Sequence, residues 1–505
     1  MKVCLINPPT SRPQDDVFLP MGLIAVGTML RKMGIETELL DCDLQLRKHP
    51  ELRSGLPIFK NFFSECVHRI HADVYGISSV CSNFPMALEI ARWLRDEYPN
   101  SKILLGGPQP SSVPTEALEH CPALDLVVIG EAEVTVSELF RSDFTPESLS
   151  SIDGIAYRDG QRILQNKPRA LLEDLDQLPL PDFTLLNLRE YPDFENSIAL
   201  IEAGRGCPFR CTFCSTAEMW SRKYRVKSPG RILEEMRRLN REFGLTYFPL
   251  THDNFTTSPK YYRKFCHDLL ETNREGFTWS ASARTDTLSP PDLDLLYRAG
   301  CRGLFIGVDS GSLATQKKID KNLDLDEYKV IIQETVKRGI TVVASFIIGF
   351  PEETIEDINA TLELGLWTKH AGVREVQFHR LAALASTKIY HDHWKNLRYR
   401  EIVSDICLLL YREDQLIEEV QNNPRLYSSY FEIPVPQVEG LDLSCLDNFY
   451  SFLTNKIGPS LYQYLKKQGK SPVGFFQAWL DRQKTSKYSE LYMKPYIMET
   501  VSECF

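Results

Sequence analysis

Three cysteines, Cys207, Cys211 and Cys214, stand within the run Gly204-Arg205-Gly206-Cys207-Pro208-Phe209-Arg210-Cys211-Thr212-Phe213-Cys214-Ser215. Thiolates are soft ligands, and three at this spacing can grip three irons of a [4Fe–4S] cube. A zinc site would want a fourth Cys or His nearby, and none follows at a sensible spacing. The missing fourth ligand leaves one iron open for a small molecule, which a purely electron-carrying cluster does not need. Gly204 and Gly206 let the backbone turn tightly around the cube. Arg205 and Arg210 are expected to offset part of its negative charge.

Such a loop needs a scaffold. The chain has 505 residues, too many for one domain, and its 43% hydrophobic and 25% charged content is that of an ordinary globular protein. A formal net charge of −10 argues against nucleic acid held on a basic surface. No apolar run reaches the ~20 residues needed to span a bilayer, so no membrane partner is expected. Met1–Ile6 is too short before Asn7-Pro8-Pro9 to be a signal peptide. Ten of the thirteen cysteines are scattered singly, and an oxygen-labile cluster fits a reducing compartment. The expectation is a cytoplasmic, multi-domain enzyme.

The patterning divides the chain into four parts. Over residues 1–145, short apolar runs at Val3–Ile6, Thr37–Leu40, Val74–Ser78, Ile103–Leu105 and Leu126–Ile129 alternate with helix-like stretches at Gly22–Met33, Phe84–Tyr98 and Val134–Phe140. That alternation predicts a parallel, flavodoxin-like (Rossmann-like) sheet with helices on both faces. Its ligand would lie across the strand ends, at Asn7, Ser78, Ser79, Gly106, Gly107, Gly130 and Glu131. No G-x-G-x-x-G is present, which disfavours a dinucleotide. Residues 146–196 read as a bridge with a small hairpin around Asp159-Gly160. Residues 197–400 carry six strand-like runs, Ile198–Glu202, Leu245–Thr251, Phe277–Ala283, Gly303–Asp309, Thr341–Ile348 and Val373–Leu381, each followed by a helix-like stretch or the tail. They predict a partial (β/α)6 TIM-type barrel whose first strand ends at the cysteine loop, where barrel chemistry belongs. Residues 401–505 read as a mostly α-helical, aromatic-rich cap, with helices at Glu401–Glu418 and within Leu443–Lys467. His252 and His379 read as structural, and His391-Asp392-His393 as a polar turn rather than a metal site. One cluster is expected.

The cysteine triplet, with Phe213 before its last member, resembles the signature of the radical S-adenosylmethionine (SAM) enzymes. The first part resembles the cobalamin-binding domain that precedes many of them, through Ile6-Asn7-Pro8-Pro9, Leu19-Pro20-Met21-Gly22-Leu23, Gly106-Gly107-Pro108 and Gly130-Glu131-Ala132-Glu133. Ala132 departs from the usual Gly-Glu-Gly-Glu. No histidine sits in an Asp-x-His-x-x-Gly pattern, so the lower cobalt ligand is open. The resemblance implies that Cys207, Cys211 and Cys214 hold the cluster and that SAM chelates the open iron. It also implies SAM contacts from Asp253 to the amine, Arg284 to the carboxylate, and Asp309, Ser310 and Gly349. Asp309 replaces the family's usual Glu in Gly307-Val308-Asp309-Ser310-Gly311-Ser312, and Glu352 stands where a second glycine is usual. The implied cobalamin contacts are Asn7, Pro20, Gly22, Ser78, Ser79, Gly106, Gly107, Gly130 and Glu131. The typical reaction of this family is methylation of an unactivated carbon, with SAM as methyl source and as precursor of a 5′-deoxyadenosyl radical. No residue of the chain need act as acid or base in the radical step. A natural product or a peptide is the expected substrate, and an external flavodoxin- or ferredoxin-type protein the expected electron donor. Rearrangement, ring contraction or cyclisation without methyl transfer is the first alternative. A transfer-RNA methylthiotransferase would want further N-terminal cluster cysteines and a basic C-terminal barrel, and a cobalamin sensor would leave the cysteine triplet unused.

Overall fold

A computed structural model describes residues 1–11, 19–192, 194, 201–401, 403–404, 407–483 and 494–501. The first sheet is built from β1 (Lys2–Asn7), β2 (Glu36–Asp41), β3 (Val74–Ser78), β4 (Lys102–Gly106), β5 (Leu126–Val128), β6 (Ile155–Asp159) and β7 (Arg162–Gln165), in the order 2-1-3-4-5-6-7. β1 to β5 are parallel, the flavodoxin-like order expected for apolar runs separated by helices. The expected helices form at Met21–Lys32, Phe84–Glu97 and Ala132–Leu139. A further helix, Leu56–Ile70, went unpredicted although Phe59, Phe63 and Val67 repeat every fourth residue and are buried. The hairpin corrects the bridge. β6 pairs antiparallel with β5, so the first sheet continues to Gln165. Its backbone completes the ladder of an otherwise open edge.

β8 (Ile201–Glu202) opens the second sheet; residues 198–200 of the expected strand lie outside the described residues. A two-stranded ribbon follows, β9 (Gly204–Arg205) against β10 (Arg225–Val226). The sheet then continues with β11 (Tyr247–Thr251), β12 (Thr278–Ala283), β13 (Cys301–Asp309), β14 (Thr341–Ile348) and β15 (Glu375–Arg380). The six barrel strands are all parallel, in the order 15-14-13-12-11-8. Six right-handed βα units do not close a ring, which leaves the concave face accessible between β8 and β15. The crossover helices start where the sequence says they should. Ser228-Pro229 and Ser258-Pro259 each place a serine whose Oγ accepts from a first-turn N–H, followed by a proline with no N–H to lose.

The tail divides in two. Glu401–Glu418 is not one helix: the described residues from 400 to 413 are irregular, and the helix is Asp414–Asn422. This stretch lies on the first domain. Both Nη atoms of Arg92 donate to Glu419 at 3.0 Å, His120 meets the same carboxylate at 2.9 Å, and Tyr411 and Tyr430 donate to the carbonyls of Leu52 and Ser82. The helix Leu443–Gln468, kinked at Ile457 ahead of Pro459, instead covers the open edge of β15. Ser451 Oγ accepts from Phe378 N and donates to Phe378 O, and Asn455 does the same for Val376. The aromatic residues Phe449, Tyr450, Phe475, Phe476 and Trp479 are buried. No helix among the described residues is long and apolar enough to cross a membrane.

Candidate cofactor and substrate site

The cysteine loop leaves β9 at Gly206, where φ is +89° and a Cβ would lie 2.0 Å from the carbonyl oxygen of Lys223, so a side chain is excluded. Asp253 Oδ2 accepts from Gly206 N at 2.6 Å, and Oδ1 from Thr216 Oγ1 at 3.2 Å. Asp253 therefore braces both ends of the loop. The thiols are half-buried and electrostatically coupled through Cys214. Burial pushes the Cys207 thiol up, and burial, opposed chiefly by the Lys321 cation, leaves Cys211 at about 11. Deprotonation must accompany metal binding. Among the described residues no three His, Cys, Asp or Glu side chains converge on one ion. This is compatible with a cube, in which each thiolate meets a different iron.

Arg284 lies against this loop. Its guanidinium stacks over Phe209 at 3.8 Å, and Nη1 is 3.9 Å from Cys211 Sγ. Nε and Nη2 are bound to Asp286, and Nη2 also donates to Lys321 O, so the planar group faces the thiols with one edge. Asp309 is paired to Lys321 Nζ at 2.5 Å, both side chains under 10% exposed. Its φ of +66° is an uncommon conformation for aspartate. Lys321 escaped the sequence reading because it lies twelve residues beyond Asp309, on an irregular stretch with no spacing signal. Ser310 is fully buried, its hydroxyl 3.1 Å from Thr361 Oγ1. The N–H of Gly349 goes to Glu353 at 2.7 Å. Phe213 packs edge-on against Phe350. Of the implied SAM contacts, Arg284 and Asp309 thus sit at the cysteines, whereas Ser310 and Gly349 are committed to the scaffold. His252 is buried, accepts from Asn254 N at 2.9 Å, and is pulled to about 4 by burial, so the ring is neutral. His379 lies 3.3 Å from Gln377 Oε1, and Asp392 pairs with Lys388.

The first domain contributes a second cavity, of 280 Å³, entered at the strand ends past Gly22, Ser78, Gly106, Gly107, Gly130 and Glu131. Its inner wall is aliphatic, with Leu5, Leu23, Val74, Leu104, Val128 and Val136. A Cβ at Gly107 would lie 2.4 Å from Ser79 O. Glycine there keeps the mouth open. The aromatic arm of a larger group suits the aliphatic part of this slot, and among the described residues no histidine lines it. Asn7, Pro20 and Ser79 are not part of it. Asn7 instead donates to Asp41, and Ser79 to Asn83.

The two modules meet at a buried ionic knot. Arg205 binds Glu131 at 2.8 Å, Glu133 at 2.6 Å and Glu202 at 2.7 Å, while Arg225 binds Glu131 at 2.7 Å. Both guanidiniums also face the ring of Trp220. Arg205 therefore turns away from the thiols, and the Glu131 carboxylate is spent on structure, contrary to both sequence expectations. The knot has a further consequence. Glu202, Arg205 and Trp220 line the first-domain slot and also an 870 Å³ cavity on the concave face of the barrel.

The fold and this pair of cavities define a two-module enzyme. Residues 201–365 match the radical SAM superfamily, and residues 15–140 match the B12 binding domain. The chain belongs to the radical SAM superfamily as its cobalamin-dependent, B12-domain-bearing type, and its cofactors are a [4Fe–4S] cluster, SAM and cobalamin. It is 27% identical to an uncharacterized methyltransferase of Pyrococcus horikoshii over 371 residues, 72% of this chain and 77% of that one. It is also 27% identical to the anaerobic magnesium-protoporphyrin IX monomethyl ester cyclase of Synechocystis, over 72% of each chain. The cytidylyl-2-hydroxyethylphosphonate methyltransferase of Streptomyces wedmorensis is 24% identical over 77% of this chain and 81% of its own. In fold, the chain superposes on the radical SAM methyltransferase TsrM of Kitasatospora setae over 100% of both chains, with a TM-score of 0.68 and 16% identity.

Proposed function

We propose that this chain methylates an unactivated carbon of a natural-product or peptide substrate. The observation that carries the reading is the shared wall of Glu202, Arg205 and Trp220, which sets the slot of the B12-binding domain beside the barrel cavity. A molecule held in the barrel cavity would then lie within reach of both modules, and such positioning is what a two-cofactor transfer needs.

Cys207, Cys211 and Cys214 would hold the cluster, and Arg284 and Lys321 would offset its charge. The glycine-lined mouth at Gly22, Gly106, Gly107 and Gly130 would receive the corrinoid. When bound, the cluster with SAM supplies one-electron hydrogen abstraction, and the corrinoid supplies a transferable methyl group. The chain's own residues position and shield: Asp253 fixes the loop, Arg205 locks the two modules, and the neutral His252 is unsuited to moving a proton. Electrons would come from an external donor of the flavodoxin or ferredoxin type.

A second reading, cyclisation or rearrangement without methyl transfer, is supported by the equal identity to the Synechocystis cyclase. Anaerobic reconstitution with iron, sulfide and hydroxocobalamin, then SAM and a reductant, separates the two. Methylation is expected to give stoichiometric cobalt, 5′-deoxyadenosine and S-adenosylhomocysteine together, and a product heavier by one methylene. Deoxyadenosine with a product of unchanged carbon count would overturn it in favour of cyclisation. Absence of bound cobalt would remove both readings.

A further inference from the structure

The barrel cavity is not uniform along its length. Its upper end, toward the cysteine loop, is lined by Gly204, Thr251, His252, Asp253 and Ser282, and its lower end by Tyr247, Arg302, Thr341 and Arg374. Of the two acidic side chains at the upper end, Glu202 is paired with Arg205, and Asp253 accepts from Gly206 N and Thr216 Oγ1. The two arginines at the lower end are not neutralised. Arg302 donates through Nη1 to the carbonyls of Tyr297 and Cys301 and stacks over the Tyr297 ring at 4.4 Å, with no carboxylate in ion-pair distance among the described residues. Arg374 is exposed and likewise has no carboxylate partner among them. The acid next to it, Glu375, accepts from Gln377 Nε2 at 2.7 Å.

Arg302 is also placed by a local irregularity. Trp279 pairs with Cys301 and Ser280 with Gly303, so Arg302 is the extra residue of a bulge in an otherwise regular parallel pair. Such a bulge redirects a side chain, at the cost of a ladder bond, and here the redirected group lines the cavity. Between the two ends the wall is small or apolar: Pro249, Ser280, Gly303, Val343 and Phe305, the last 44% exposed in the middle of the sheet. In a chain of net charge −10, two unpaired guanidiniums at one end of a large cavity are an electrostatic signature for a counter-charge.

We infer that Arg302 and Arg374 bind an anionic end group of the substrate, a carboxylate or a phosphate-type oxyanion, at the lower end of the barrel. The inference deepens the methyltransferase reading and rests on it for the word substrate. The two planar forks suit oxyanions, which they can meet through paired N–H donors. With a rise of about 3.3 Å per residue, the span from Tyr247 to the loop at Asp253 sets the reacting carbon roughly 15–20 Å from that anion. The substrate is therefore an elongated acid whose middle is weakly polar.

The test uses the full-length, cluster-loaded protein at constant ionic strength and two probes, inorganic phosphate read by 31P line width and carboxyl-labelled acetate read by 13C line width. The wild type and a surface-charge control, R69Q, are expected to broaden at least one probe alike. R302Q/R374Q is expected to weaken that binding at least tenfold, and R302K/R374K to restore part of it. Circular dichroism and iron content verify that the variants are folded. Broadening of phosphate alone assigns a phosphate-type end group, of acetate alone a carboxylate, and of both an unselective oxyanion site. No broadening by the wild type, or equal broadening by R302Q/R374Q, overturns the inference. Neither readout uses SAM or corrinoid, so failure here is distinct from failure of methyl transfer.

Discussion

Glu353 shows how a single buried carboxyl can tie cofactor-site architecture to pH. Oε2 accepts from Gly349 N and Phe350 N, while Oε1 has no partner among the described residues and the residue is 1% exposed. Burial dominates and pushes its pKa from 4.5 up to about 8, despite the two N–H donors. The folded state therefore keeps a proton that the unfolded chain releases. Stability falls as pH rises from about 4.5 to about 8 and levels off above. Glu353→Gln mimics the protonated carboxyl, so its melting temperature should vary much less with pH across that window than the wild type's. An unchanged slope would assign the dependence to other groups. Lys321 and Asp309 make a second residue-scale case. Removing one member of a buried pair strands the other charge, at a cost of about 3–5 kcal/mol. Lys321→Met should lower the melting temperature sharply, and Asp309→Asn added to it should recover at least half of the loss. A strictly additive pair of substitutions would mean that the two side chains do not act together.

At the scale of elements, the last barrel strand poses a problem that the helix Leu443–Gln468 solves. An open half-barrel leaves the backbone groups of β15 without a neighbouring strand, and bare edges pair with other chains. Asn455 supplies Oδ1 to Val376 N at 2.9 Å and Nδ2 to Val376 O at 2.6 Å, imitating a strand with one side chain. Asn455→Ala leaves a buried donor and acceptor unsatisfied, for which a loss of about 1–3 kcal/mol is expected by denaturant titration. The same substitution should raise the tendency to aggregate on storage, read by light scattering. A variant as stable and as monodisperse as the wild type would show that the edge is protected by packing alone.

For the whole molecule, the knot around Arg205 decides how the two modules face each other. Three carboxylates from both sides of the interface converge on one guanidinium, and Arg205 is 7% exposed. Arg205→Met strands them and should cost about 3–5 kcal/mol. It should also make the 166–192 connection more sensitive to limited proteolysis and reduce cobalt retention before it affects iron content. Arg205→Lys should fall in between, because an ammonium cannot reproduce the planar fork that reaches several carboxylates at once. A methionine variant with wild-type melting and cobalt content would reduce the knot to an incidental contact.

Local chemistry was enough to read the modules. Alternating apolar runs gave both parallel sheets, and Cys207, Cys211 and Cys214 named their own chemistry, because periodicity and ligand softness are properties of neighbouring residues. Partnerships between distant residues were not legible. Nothing in the sequence says that Arg205 turns from the thiols to Glu131 and Glu133, more than seventy residues earlier. Nor does it say that Lys321 answers Asp309, that the hairpin at 155–165 joins the first sheet, or that the helix holding Glu419 begins only at Asp414 and latches onto Arg92. A long side chain chooses its partner only once folding has fixed which charges are desolvated together. The sequence determined what each module is made of and which cofactor chemistry it suits; the tertiary structure decided which charges are spent on structure and which, at Arg302 and Arg374, remain for a ligand.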